Sequence, residues 1–128
     1  MKLTLASRSQ NYIKAYQADS IELAANRIYS NCLIAPERII IDWTARDVAS
    51  LVSADLAPVF ELQPEVVIMG TGMKQRFPAA AISAAFLARA IGFEVMDLGA
   101  ACRTFNVLLS EDRRVVAALF VNNHKSGS

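Results

Sequence analysis

The sequence predicts an α/β layered domain with an antiparallel N-terminal addition. Three observations carry that expectation. From Val66 onward, strand-like and helix-like windows alternate as strand, helix, strand, helix, strand, the pattern of parallel strands joined by helical crossovers. Before Ser53 the chain holds only short alternating or β-branched runs. Its 128 residues suit one domain with one core.

Taken in order, Tyr12, Lys14 and Tyr16 alternate with Ile13 and Ala15, which predicts a strand with one more apolar face. Gln17-Ala18-Asp19 supplies a turn, and Ser20 to Ala24 alternates again. Asn31 to Ile34 is a third strand, ended by Pro36. Arg38 to Asp42 is a fourth, β-branched and bounded by charge, and it reads as a central strand. Ser53 is placed to cap a helical window in which Leu56, Val59 and Phe60 share a face. Pro58 falls near its first turn, where proline costs least.

Val66 to Met69 is the fifth strand. Pro78 suits the first turn of a helix running to about Ala90 and closed by Gly92. Its alanines permit close approach to a sheet while Ile82 and Phe86 fill the gap. Phe93 to Met96 is the sixth strand. Asp97 is placed to cap a helix from Gly99 to Ser110, with Ala101, Phe105, Leu108 and Leu109 inward. Arg114 to Val121 is the last strand. Residues 1–121 are expected to form one domain and 122–128 a polar tail.

Composition excludes several functions. Lys plus Arg is 13 against 12 for Asp plus Glu, and the only basic clusters are Lys74-Gln75-Arg76 and Arg113-Arg114, so a nucleic-acid surface is not expected. Cys32 and Cys102 form no CxxC, and the single His124 completes no metal spacing. Such cysteine usage suits a reducing compartment. The opening MKLTLASRSQ is too short for a signal-peptide core, and the longest uncharged apolar stretch, Phe77 to Ala88, is too short for a membrane span. The expected location is cytoplasmic. The hydrophobic fraction of 54% exceeds the ~45–50% of average globular chains. That surplus predicts a protein partner or a second copy.

"VVIMGTGMKQRFP" is the first candidate site. A dinucleotide loop wants G-x-G-x-x-G, and Gly70 and Gly72 fit, but Gln75 stands at the third position. Lys74 is misplaced for a phosphate loop. The turn therefore reads first as structural, with backbone amides near Gly72 and the Arg76 guanidinium as donors if an anion binds. The second candidate is "DLGAACRTFNVLLSEDRRV". Cys102 near a helix N-terminus is expected to have a lowered thiol pKa if exposed, or to be a small buried hydrophobe if not. Both segments follow parallel strands, so Thr71, Arg76, Asp97, Arg103, Thr104 and Asn106 are expected to face one crevice. Asp97 as a cap and Asn106 as a bridge to a neighbouring loop are the structural alternatives. Glu111 to Arg114 reads as a solvated turn. Asp42, Asp47 and Asp55 form no metal or acid–base pair, and Trp43 fits either core or interface.

"VVIMGTG" and "GFEVMDLGAACRTFNVLLSEDRRVVAAL", with "NYIKAY" and "IIIDW" more loosely, resemble the Mth-like family of proteins of unknown function. That family includes a mitochondrial respiratory complex I assembly factor and a vertebrate protein linked to adipogenesis. The resemblance implies a three-layer fold: a mixed five-stranded central sheet with one antiparallel strand, helices on both faces, and an extra N-terminal β-element. It implies no transferable catalytic activity. No cofactor and no metal are expected. The family's characteristic positions fall here on Gly70, Thr71, Gly72, Thr104, Asn106, Glu111 and Arg113. Leu98 departs from it, since relatives often carry Thr after the aspartate, and the lost hydroxyl weakens a catalytic reading. The expectation is a non-catalytic interaction or assembly factor. The alternative is a small-molecule or anion binder, or an enzyme, using the crevice near Gly70–Gly72 and Arg103–Asn106.

Overall fold

A computed structural model describes residues 10–121; the expected polar tail, His124 and most of the opening decapeptide lie outside them. Eight strands and three α-helices are found among the described residues. A small antiparallel sheet comes first, with β1 (Ala15–Gln17), β2 (Ser20–Glu22) and β3 (Arg27–Ile28) in that spatial order. β1 and β2 are shorter than the alternation suggested. β3 was not expected: its two residues are too few for a periodic signal.

The main sheet holds β4 (Cys32–Ile34), β5 (Ile39–Ile41), β6 (Val66–Gly70), β7 (Gly92–Met96) and β8 (Val115–Leu119), in the order β5-β4-β8-β6-β7. β4 runs antiparallel to both β5 and β8, whereas β6 runs parallel to β7 and β8. The sheet is thus mixed, with β4 the one reversed strand, as the resemblance implied. One expectation fails. The Ile39–Ile41 run is an edge strand, not a central one, and Ile41 is half exposed. A β-branched run identifies a strand but not how many neighbours it has. The wholly buried β8 holds the centre instead.

Strand alternation divides the core in two. Cys32, Ile34, Val66, Ile68, Val115, Ala117 and Leu119 point to one face. There they meet Ile13, Ile21 and Ile28 of the N-terminal segment and Leu98, Ala101, Phe105 and Leu109 of α3 (Leu98–Ser110). Leu33, Val67, Met69, Val116 and Ala118 point the other way, toward Leu56, Val59, Ile82 and Phe86. These belong to a 3₁₀ turn (Ser53–Leu56), α1 (Ala57–Glu61) and α2 (Ala80–Ala88). Phe86 and Phe105, one in each half, are fully buried, and each contributes about 2 kcal/mol. Trp43 is core: it packs against Phe120, and its indole N–H donates to the Asp55 carbonyl at 2.9 Å.

The helix ends refine the local reading. Asp97 caps α3 as expected, its carboxylate accepting the Ala100 amide at 2.8 Å. Ser53 does not cap; the Asp55 carboxylate accepts the Val52 amide instead, at 3.0 Å. Gly92 does not close α2 but begins β7. The closing left-handed residue is Ala90, with φ 57°, and Ile91 N–H reaches the Phe86 carbonyl. α3 ends the same way through Asp112, φ 61°, with Arg113 N–H on Leu108. These are Schellman closures built without glycine. The solvated charge run of 111–114 is therefore also a helix stop, and Arg113 pairs with Glu65 at 2.6 Å.

Candidate functional site

The turn after β6 has a separate reason for each residue. A Cβ at Gly70 would lie 2.8 Å from the Ala101 Cβ and 2.9 Å from Leu119 Cδ2, so glycine there lets α3 close on the sheet. Gly72 has φ +89°, and a Cβ there would meet only the Phe120 carbonyl at an ordinary 3.9 Å, so its glycine serves the backbone angle. Thr71 is buried and fully engaged. Its hydroxyl accepts the Arg76 amide at 2.9 Å and lies 2.7 Å from the Lys74 carbonyl and 3.2 Å from that of Met96. The loop is thereby folded back on itself and fixed to the end of β7.

On the β8 side of this turn a cleft of about 460 Å³ opens. Thr71, Gly72, Lys74 and Arg76 form one wall, Arg46 to Ala49 another, and Phe120 and Val121 the floor. Asn31 braces it: its amide N–H groups donate to the carbonyls of Ala45 at 2.8 Å and Arg46 at 3.0 Å, and its carbonyl accepts Val121 N–H at 2.8 Å. Among the described residues, the side chains of Arg46, Lys74 and Arg76 lie within ion-pair distance of no carboxylate. The one acid in the lining, Asp47, is held below the usual carboxylate range, first by the Ser50 amide at 2.9 Å and then by the Ser50 hydroxyl.

The expected crevice is only half assembled. Thr71, Gly72 and Arg76 line the cleft, and Gly70 lies beneath them. Asp97, Arg103, Thr104 and Asn106 do not line it, because α3 leaves β7 over the other sheet face. Asp97 is occupied as a cap. The Thr104 hydroxyl sits 3.3 Å from Met96 Sδ. Asn106 clamps the N-terminal segment, its carbonyl accepting Ile13 N–H and its amide donating to the Ile13 carbonyl, both at 2.9 Å. Arg103 is exposed on α3. The bridge to a neighbouring segment is the reading of Asn106 that the structure favours.

Cys102 is buried, and burial pushes its thiol up to about 12, against a small lowering pull from Arg103. Cys32 is raised to about 12 for the same reason, with the nearby Cys102 adding to it. Of the two readings of Cys102, the structure favours the small buried hydrophobe: it is a core thiol without the lowered pKa of a nucleophile. Sequence reasoning missed Asn31, Arg46 and Phe120 in the cleft. An asparagine at the head of a fully buried strand was the one available signal, since its amide must find partners.

Residues 13–120 match the family described as protein of unknown function (DUF498/DUF598). The chain belongs to this family. A curated relative, NADH dehydrogenase (ubiquinone) 1 alpha subcomplex assembly factor 3 of Mus musculus, is 30% identical over 110 residues, covering 84% of this chain and 59% of the relative. The chain therefore spans little more than half of that protein. Among solved structures, a Xanthomonas campestris protein superposes with TM-score 0.83 at 31% identity, covering 92% of this chain and 89% of the other. A Bordetella pertussis protein described as a Mth938-like domain gives 0.68 at 29% identity, covering 91% and 89%. The family resemblance and the three-layer fold read from the sequence both hold. No described helix is long and apolar enough to cross a membrane.

Proposed function

We propose that this chain is a non-catalytic assembly or interaction factor that acts by holding a protein partner or a second copy of itself. The observation that carries this reading is the likeness to a complex I assembly factor across 84% of the chain. Exposed apolar side chains support it: Phe77 is 71% exposed and Leu87 80%, where a partner would gain by covering them. The state of the thiols and of the Thr71 hydroxyl supports a non-catalytic role, since none of the three is poised as a nucleophile. Two free buried cysteines fit a reducing, cytoplasmic setting. The test is crosslinking in cells together with light scattering on the purified chain. A stoichiometric complex or a homodimer is expected; a strict monomer with no crosslinked protein overturns the reading.

A second reading, a small-molecule or anion binder, is favoured by one observation: the cleft gathers Arg46, Lys74 and Arg76, none of them in an ion pair among the described residues. Thr71, Gly72 and Arg76 are then the ligand-contacting members of the expected set. A thermal-shift panel of phosphate, nucleotides and carboxylates tests it, and unchanged melting across the panel counts against it.

A further inference from the structure

The two ends of the main sheet differ in charge. A depression of about 390 Å³ at the far end is lined by Glu37, Glu61 and Asp112 together with Arg38, Arg113 and Arg114. Acids and bases balance there, and Arg113 and Arg114 are spent on Glu65 and the Gln63 carbonyl. At the near end, three cations face a single carboxylate that is already hydrogen-bonded within its own turn. The chain as a whole is almost neutral, at +1, so this surplus is local. Arg27, Arg89, Arg113 and Arg114 all have intramolecular partners for their guanidinium groups, whereas Arg46 and Arg76 line the cleft with no ion pair among the described residues, Arg46 exerting only a small pull on the neighbouring Asp47.

The cleft's form narrows what it would take. Sites for small ligands bury most of the ligand's surface. Here the cationic side chains and Met73, 57% exposed, stand on an open rim, and the apolar floor of Val48, Phe120 and Val121 is buried below. Such a surface offers an apolar seat ringed by positive charge. We propose that it docks an acidic segment of a protein partner, with one apolar side chain of that segment on the floor and flanking carboxylates on Arg46, Lys74 and Arg76. This rests on the assembly-factor reading and names the chemistry of the partner. Arginine suits the role, since its planar fork takes a carboxylate through two hydrogen bonds. Complementary charge of this kind speeds encounter and makes binding sensitive to salt.

The experiment is amide chemical-shift mapping on the full chain with a short Glu/Leu peptide, its Gln/Leu counterpart, inorganic phosphate and pyrophosphate as probes. The Glu/Leu peptide is expected to move the amides of Arg46 to Ala49 and Gly72 to Arg76, and its Gln counterpart to leave them unmoved. Arg46→Glu with Arg76→Glu should weaken the peptide by about tenfold or more, and Arg38→Glu at the far end should not. If the double reversal disturbs the fold, Arg46→Gln with Arg76→Gln replaces it. Phosphate or pyrophosphate saturating the cleft while the peptide does not overturns the proposal in favour of a small-anion site. Peptide shifts confined to other surfaces overturn it outright. A crosslinked partner complex that survives the double reversal removes the cleft while leaving the assembly reading standing. Peptide binding at the cleft in a chain that forms no complex removes the assembly reading and leaves the acidic-segment site.

Discussion

The two flanks of the Gly70–Gly72 turn differ in kind. Toward β7 the turn is sealed: Thr71 N–H bonds the Met96 carbonyl at 2.9 Å, Leu98 N–H bonds Gly72 at 2.6 Å, and the Gln75 side chain holds the Val95 carbonyl at 2.9 Å. Toward β8 one bond, Phe120 N–H to the Gly70 carbonyl at 2.8 Å, joins the strand ends, and beyond it the cleft opens. Both crossovers explain the contrast. One leaves β6 for β7, the other leaves β7 for β8, and both start above the β6–β7 seam. The seam is filled by chain, and the space above β8 is not. Gly70 therefore serves the packing of α3 on the sheet and Gly72 the turn beside the cleft, while the charge a ligand would read comes from Arg46, Lys74 and Arg76.

The seam breaks first at Gly70. Gly70→Val adds a branched side chain where even one carbon meets Ala101 and Leu119 below 3 Å. We expect a loss of about 3 kcal/mol, and a fall in Tm on the order of 10 °C, measured by thermal and urea unfolding. A loss below about 1 kcal/mol would mean that α3 can retreat from the sheet and that the seam is soft.

Two half-buried asparagines separate the flanks next. Asn31→Ala removes three hydrogen bonds on the open side, and Asn106→Ala removes two on the α3 face. Each is expected to cost about 2 kcal/mol, since backbone groups lose their partners. The sites of damage differ. Hydrogen exchange should quicken at Val121 in the first variant and at Ile13 in the second. Only Asn31→Ala should alter the response of the cleft to an acidic probe. Equal effects on that response would dissolve the distinction between the two sides.

How much of this was legible in the sequence follows from how local each feature is. Asp97 capped its helix as expected because a cap needs only the next three residues. The strand–helix order from Val66 was legible from period and punctuation. Thr71, Gly72 and Arg76 were found because a strand running into glycines marks its own C-terminal end. Their expected companions were misplaced because the sequence does not say over which face α3 departs. Arg46 sits in a loop without periodicity, and Asn31 bonds a residue 90 positions away, so neither carried a local signal of its place. Ala90 and Asp112 close their helices in a conformation that favours glycine, and Gly92 nearby drew the expectation away.

The buried thiols give a smaller, pH-dependent effect. Cys32 and Cys102 are raised from 9.0 to about 12 by burial. Below pH 9 both states keep the proton and stability is flat. Above it the unfolded chain ionises first, so stability falls as pH rises from about 9 toward 12. Each thiol should cost about 1 kcal/mol at one pH unit above its unfolded value. Cys102→Ala should flatten that decline relative to its own stability at pH 7, as followed by urea unfolding across pH. Rapid alkylation of the native chain at neutral pH would contradict the burial on which this rests.

The smallest stability change sharpens the comparison most. Arg76 and Arg103 are both exposed and both follow parallel strands. Neither guanidinium makes an ion pair among the described residues. Arg76→Ala and Arg103→Ala should each leave stability within about 0.5 kcal/mol of the parent. The binding of an acidic probe should separate them, with Arg76→Ala weakening it and Arg103→Ala leaving it unchanged. Since folding cannot explain a difference between two exposed, unpaired arginines, the side of the turn on which each stands must. The reverse result would move the site across the sheet to the α3 face and return Arg103, Thr104 and Asn106 to it.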